Sequence, residues 1–508
     1  MIKVAILGLL IAGGAIAETK KDSSEKEKEI PKPLLAKTEH EGRFGKVRMK
    51  YRAKAGETYL YDREGKPKAS IFSTAYTALD IDDPAKRPVT FIFNGGPGSS
   101  SVWLHMGVMG PMVTRVPSDG AGAGAAPYKV ESNPWSLLVA SDLVFIDPVG
   151  TGYSRALGKY EDKQFWGVRE DAEVIGEFIR SYISSEKRWN SPKYLAGESY
   201  GTVRAAALVR ELQEGWEGIA LNGVMLISAI LDFQAGRFQK GNDTPFVTFL
   251  PTYAATAWYH KKVPEHDRPL EEFLADVRDF ASTDYVVALF KGNNLSVADR
   301  QKVLDQLHRF TGLDKAYLEQ TNLRIHAFRF MKELLRDQGK TIGRFDSRYL
   351  GKDYDAAGEF FDYDASAYGI TGAYVASINH YLGHTLQLKT DRKYLILNGE
   401  VGSSWNWGQA KGQKTATGYL NLTPTLATGM IQNPDFRIFV ANGYYDLATP
   451  FHSTEYTLAH HGIDPKRVTM QYYEAGHMMY VHQPSLEALG RDLMEFVSSH
   501  KKTGRVAH

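Results

Sequence analysis

Residues 194–201 read YLAGESYG, a serine between two glycines in a G-x-S-x-G pentapeptide. The run Lys193–Ala196 leads into it, and Thr202–Leu212 (TVRAAALVREL) follows with helical spacing and alanines where a helix would press on a sheet. Buried strand, sharp turn and helix would expose the Ser199 hydroxyl at the apex, with the positive end of the helix dipole behind it. The plainer reading is a serine in a glycine-rich turn, because a pentapeptide of common residues recurs by chance. The rest of the chain has to decide between them.

The same rhythm of strand and loop recurs. Val89–Phe93 (VTFIF), Leu143–Ile146 (LVFI), Gly223–Ile227 (GVMLI), Arg437–Val440 (RIFV) and Val468–Tyr472 (VTMQY) are short apolar runs, most of them followed by glycine or proline. Continuous apolar strands are buried on both faces, which predicts an α/β fold with a mainly parallel sheet flanked by helices. Ligands in such sheets bind beyond the carboxyl ends of the strands. Ahead of these runs, KVRMKYRA (46–53), ETYLYDR (57–63) and KASIFSTAYT (68–77) predict three antiparallel strands separated by turns. From about Gly236 to Leu382 the strand signal fades. Helical spacing over Leu270–Phe280, Val297–Phe310 and Ala316–Leu335 predicts a helical insertion, and GAGAGAAP (120–127) a flexible surface loop.

At the start, Lys3 precedes an apolar run of 14 residues, 4–17, that ends Ala15-Ile16-Ala17. That is a short n-region, an h-region and an A-x-A cleavage signal, too short for the roughly 20 residues that span a bilayer. It predicts export to a bacterial periplasm or exterior, with no membrane attachment after cleavage. Position 18 is Glu, not Cys, so no lipoprotein anchor is expected. The chain has no cysteine, which excludes a thiol nucleophile and thiolate metal sites and fits a bacterial rather than a eukaryotic secretory route. With 508 residues and 43% apolar content, a core can hold the fold without disulfides. The net charge of +2 and the lack of a long basic block argue against nucleic acid as a partner. The predicted organisation is a signal peptide over 1–17, a charged linker over 18–38, a core over 39–235, a helical cap over 236–383 and the rest of the core over 384–508.

A serine nucleophile needs a base, a carboxylate to orient the base, and donors for the oxyanion. His477 (EAGHMMYVHQP) lies in a loop just past a late strand, a placement that His482, His460 and His461 lack. Asp446 (RIFVANGYYDLATP) follows another strand and a glycine turn. A lone loop histidine or aspartate is usually structural. Ser199, Asp446 and His477 together have the order Ser, Asp, His of α/β-hydrolases, each past a strand end. The oxyanion donors then come from Tyr200 and from NGGPGSSS (94–101), where glycines let backbone N–H groups approach closely. No H-E-x-x-H or similar spacing occurs, so no metal and no cofactor are expected.

NGGPGSSS (94–101), NPWS (133–136), DPVGTGYS (147–154), GESYG (197–201), the Gly443–Asp446 turn and AGHM (475–478) occur in that order. In this set the chain resembles the serine carboxypeptidases, serine exopeptidases of α/β-hydrolase fold, over about 90–235 and 385–495. The resemblance implies Ser199 as nucleophile, His477 as base, Asp446 as its orienting carboxylate, and Gly96 and Tyr200 as oxyanion donors. It also implies that Asn94, Gly95 and Glu198 read the free terminal carboxylate of a peptide substrate. A protonated Glu198 would donate to that carboxylate where an ionised one would repel it. Two positions depart from the family. Ile92 stands where a Trp is common, and Val108 where a Glu is common; both family residues belong to the carboxylate-binding network. Tyr200, Tyr444, Tyr445, Met478 and Tyr480 are candidates to line subsites, Met478 and Tyr200 foremost. An esterase or acyltransferase on the same elbow, and a non-catalytic binding protein of the same fold, remain the alternatives. Oligomeric state and side-chain preference are not legible.

Overall fold

The computed structural model describes residues 30–214, 218–408 and 418–499. The expected signal peptide and most of the expected linker lie outside them. Nine strands form the body of one sheet: β1 (Leu35–Phe44), β2 (Val47–Tyr61), β3 (Pro67–Ala78), β4 (Val89–Phe93), β5 (Asp142–Asp147), β6 (Lys193–Glu198), β7 (Gly223–Ile227), β8 (Arg437–Gly443) and β9 (Val468–Tyr473). Their spatial order is β1-β2-β3-β5-β4-β6-β7-β8-β9, with the short strand Arg155–Ala156 beside β3. The first three strands and the β3–β5 pair are antiparallel, and every later pair is parallel. All six apolar runs read from the sequence are the six parallel strands. With its flanking helices this is an α/β-hydrolase sheet.

In β4 to β8 the apolar runs are continuous because each strand feeds two cores, and period-two alternation sorts the side chains. Phe91, Phe93, Leu195, Val224, Leu226, Ile438 and Val440 pack on one face with the helices α1 (Val168–Ser185) and α2 (Tyr200–Gln213). Ile92, Tyr194, Ala196, Met225, Ile227, Phe439 and Ala441 pack on the other, against the C-terminal helix Gln483–Ser498. The helix Ala365–His380 joins this second core through Ile370, Tyr374 and Ile378. The helices between Thr244 and Glu333 have a third core of their own, which meets the sheet through Tyr444, Tyr445, Leu447 and Phe451 after β8.

Three readings need correction. KVRMKYRA and ETYLYDR are one strand, β2, in which Gly56 keeps its pairing with Leu35 on one side and Ser73 on the other. Neighbours on both sides hold the glycine extended, so no turn forms. The linker expected to run to Thr38 already becomes strand at Leu35. This edge strand, LAKTEHEGRF, has no apolar alternation and is held by its ladder and by cross-strand pairs such as Arg52–Glu39 at 2.9 Å. The helix expected over Ala316–Leu335 is two, Lys315–Gln320 and Ala327–Glu333, broken where Asn322 and Leu323 take positive φ of 52° and 63°. Apolar residues on both sides of the break enter the same core, so the periodicity persists while the backbone does not.

Where β6 turns into α2, a Cβ on Gly197 would overlap the Gly201 carbonyl. Gly383, in the turn that follows Ala365–His380, has open space instead. Gly197→Ala is expected to cost about 1–3 kcal/mol in urea unfolding and Gly383→Ala close to nothing. Equal midpoints for the two variants would show that the crossing is not tight.

Candidate active site

Ser199 sits between β6 and α2 with φ 59° and ψ −129°, a conformation costly for a side-chain-bearing residue. The surroundings enforce it. The Ser199 N–H donates to the Ile227 carbonyl at 3.0 Å, and its own carbonyl accepts the Thr202 hydroxyl at 2.7 Å. A Cβ on Gly201 would lie 2.9 Å from the Phe93 carbonyl oxygen, so the helix passes directly over the end of β4. Both glycines of G-x-S-x-G are therefore demanded by close backbone approach.

His477 follows β9 and Asp446 follows β8, both buried. The His477 Nδ1 is 2.8 Å from Asp446 Oδ2. A carboxylate only accepts, so the proton is assigned to Nδ1 and the Nε2 lone pair is free to act as a base. Asp446 is fully engaged. Its Oδ1 accepts the N–H groups of Ala448 at 2.8 Å and Thr449 at 3.0 Å, and its Oδ2 also accepts the Thr449 hydroxyl at 2.6 Å. The His477 N–H donates to the Phe345 carbonyl at 2.5 Å, and its carbonyl accepts the Ser228 hydroxyl at 2.6 Å. Ser228 directly follows Ile227, the partner of Ser199. Nucleophile candidate and base candidate are thus pinned to the same end of β7. Burial opposes charge on His477, but the adjacent Asp446 carboxylate, with help from Glu198, outweighs it and raises the imidazole above its ordinary range.

The loop NGGPGSSS lies against the elbow. A Cβ on Gly95 would overlap the Tyr200 nitrogen, and Gly96 has φ +101°. The backbone at Gly95–Gly96 and the first turn of α2 are in contact, which brings two sets of N–H donors together. The loop is braced from below. Asp147, in DPVGTGYS, accepts the Ser101 N–H at 2.9 Å and hydroxyl at 2.8 Å. Arg204 of α2, fully buried, pairs with Asp171 at 2.6 Å and donates to the Asn94 carbonyl at 2.5 Å. In NPWS, the Asn133 amide donates to the carbonyls of Val108 and Gly110 at 2.6 and 2.9 Å, a structural role for that motif.

Glu198 is buried beside the elbow. Asn94 Nδ2 donates to its Oε1 at 3.0 Å and the Tyr480 hydroxyl to its Oε2 at 2.7 Å. Burial pushes its carboxyl up to about 7, against the pull of His477, Tyr480 and Asn94. Ile92 and Val108 are fully buried apolar residues of the second core. Tyr480, not a second carboxyl, is the partner of Glu198, and Gly107 leaves the space for its ring.

Among the other candidates, Tyr444 stacks on Tyr472 at 5.7 Å and Tyr445 packs on Tyr259 at 5.1 Å, both within the insertion core. Tyr200 turns its ring to Trp405 and Trp407. Met478 is buried in the second core. Sequence reasoning missed Thr449, Ser228, Arg204 and the Tyr480–Glu198 bond. Thr449, three residues past Asp446, is the one a local search for hydroxyls near the carboxylate would have found. No group of three His, Asp or Glu side chains suited to a metal occurs among the described residues.

The family model of the serine carboxypeptidases matches residues 57–484. A serine carboxypeptidase-like protein of Arabidopsis thaliana, number 13 of its series, is 29% identical over 157 residues, 30% of this chain and 35% of that protein. Serine carboxypeptidase 1 of Hordeum vulgare is 28% identical over 165 residues, 31% of this chain and 32% of that protein. The aligned stretch spans about a third of the length of these curated relatives. A prohormone-processing carboxypeptidase of Saccharomyces cerevisiae superposes with a TM-score of 0.53 at 16% identity, covering 88% of this chain and 92% of that one, a likeness of fold.

A nucleophilic Ser199 reacts with an organophosphonate probe at a rate set by neutral His477. Thr449→Val removes one donor to Asp446 and is expected to slow labelling by about 10- to 150-fold, the equivalent of a lost hydrogen bond to a charged group. Ser199→Ala abolishes it. Labelling at another residue, read by peptide mapping, would contradict the assignment.

Proposed function

Because the chain belongs to the serine carboxypeptidase family, we propose that it removes C-terminal residues from peptides through an acyl-enzyme on Ser199. The observation that carries this is the Thr449–Asp446–His477 unit anchored, through Ser228, at the strand end that also holds the Ser199 elbow. Ser199 Oγ attacks the scissile carbonyl while His477 Nε2 takes its proton. The N–H groups of Gly96 and Tyr200 receive the oxyanion. The tetrahedral adduct collapses, His477 returns the proton to the departing amine, and the terminal amino acid leaves. Water, deprotonated by His477, then attacks the ester carbonyl and regenerates Ser199.

Asn94, the Gly95 N–H and Glu198 hold the terminal carboxylate in this reading. Glu198 is the pH-dependent member. Its carboxyl is protonated below about 7 and donates; above that it is charged and repels the substrate. Ile92 and Val108, where the family commonly has Trp and Glu, favour a second reading, ester hydrolysis or acyl transfer by the same serine. No helix among the described residues is long and apolar enough to cross a membrane. Export directed by residues 1–17, to a periplasm or exterior, completes the proposal.

Two pH profiles separate the readings. For a blocked dipeptide with a free carboxylate, KM is expected to rise as pH passes upward through about 7, the value at which Glu198 ionises. Glu198→Gln flattens that limb. For a neutral ester, kcat/KM instead rises with pH as His477 loses its proton and then levels off. A flat KM for wild type and variant alike, or cleavage of the ester alone, removes Glu198 from carboxylate recognition.

A further inference from the structure

The segment Arg344–Tyr349 crosses the His477 loop. The Phe345 ring lies 5.1 Å from the His477 ring, and the Phe345 carbonyl accepts the His477 N–H. The guanidinium of Arg344 lies 5.1 Å from the same Phe345 ring. Its backbone is fixed on both sides. The Arg344 N–H donates to Asp364 Oδ1 at 3.0 Å and its carbonyl accepts the Leu447 N–H at 3.0 Å, one residue past Asp446.

Among the described residues no group forms a hydrogen bond or ion pair with this guanidinium, which lies over the Phe345 ring. Its neighbour Arg348 is bound to Asp346 at 2.7 Å, and Arg204 to Asp171 at 2.6 Å. The two carboxylates that act on Arg344 at longer range have other partners. Asp364 Oδ1 holds the Arg344 and Ser366 N–H groups and the Ser366 hydroxyl, and both oxygens of Asp446 are taken. Arg344 is half-buried as a residue, and burial is the main influence on its charge and disfavours it. Five donors beside a reaction centre, poorly hydrated and without a protein acceptor, are costly until an anion arrives.

We propose that Arg344 is a substrate-recognition residue that binds a carboxylate of the peptide, either the terminal carboxylate or an acidic side chain next to the scissile bond. The inference rests on the Ser199 reading above and adds a cation beside the His477 loop. A guanidinium fits a carboxylate with two parallel hydrogen bonds and does not depend on a proton held by Glu198.

The test compares wild type, Arg344→Met and Arg344→Lys on blocked dipeptides with Glu or Gln at either side of the bond and on one reference ester that carries no carboxylate. The ratio of kcat/KM, bound substrate to ester, is expected to fall by about 10- to 100-fold in Arg344→Met, mainly through KM, and to recover in part in Arg344→Lys. A fall for every free acid, with Glu and Gln alike, assigns the terminal carboxylate. A fall for Glu and not Gln assigns the side chain and its position. An unchanged ratio overturns the inference. Ester turnover that needs Ser199 keeps that result separate from a failure of the Ser199 reading.

Discussion

The site depends on one close crossing of backbone. Gly95, Gly197 and Gly201 bring the end of β4, the end of β6 and the start of α2 to distances that leave no room for a Cβ. Ser199, the residue at the crossing, takes a conformation that side chains disfavour, with φ 59°. A cost of roughly 1–3 kcal/mol is typical for such a residue, and it persists only where the surroundings over-determine it. Here two cores, one on each face of the sheet, hold the three segments from both sides. The same crossing sets the backbone of Gly96 beside that of Tyr200. Strain at the serine and the grouping of N–H donors are one feature of the fold.

Charge is the second constraint. Asp446, His477 and Glu198 are all buried, and unpaired burial of any one would cost several kcal/mol. The hydrogen bonds divide the work. Asp446 takes four donors and stays close to His477; Glu198 takes Asn94 and Tyr480 and has its carboxyl raised to about 7. Glu198 is the carboxyl placed to change state near neutrality. Three of Asp446's four donors are supplied within its own turn and the fourth by His477, whereas Glu198 is raised chiefly by burial. Arg344 is the group that this pairing leaves without an acceptor among the described residues.

Sequence legibility follows the physics of each element. Five of the six parallel strands are readable because burial on both faces demands unbroken apolar runs; β9, at the sheet edge, is only partly buried. Ser199, Asp446 and His477 stand out because each follows such a run. β1 is unreadable by the same criterion, since an edge strand of charged residues is stabilised by pairing and not by burial. Gly56 misleads because a glycine between two neighbouring strands stays extended. The break at Asn322–Leu323 is hidden because the apolar period continues through it. Thr449 is open to a local search, lying three residues past Asp446, whereas the Tyr480–Glu198 bond and Arg344 matter through contacts made across the fold that no local pattern marks.

The most direct test is mass spectrometry of a peptide incubated with the full chain, in free-acid and C-terminally amidated forms, for wild type and Ser199→Ala. The account predicts stepwise loss of residues from the free carboxyl end, little loss from the amide, and none with Ser199→Ala. Internal cleavage, or equal trimming of both forms, would contradict a serine that acts beside a pocket for the peptide's end.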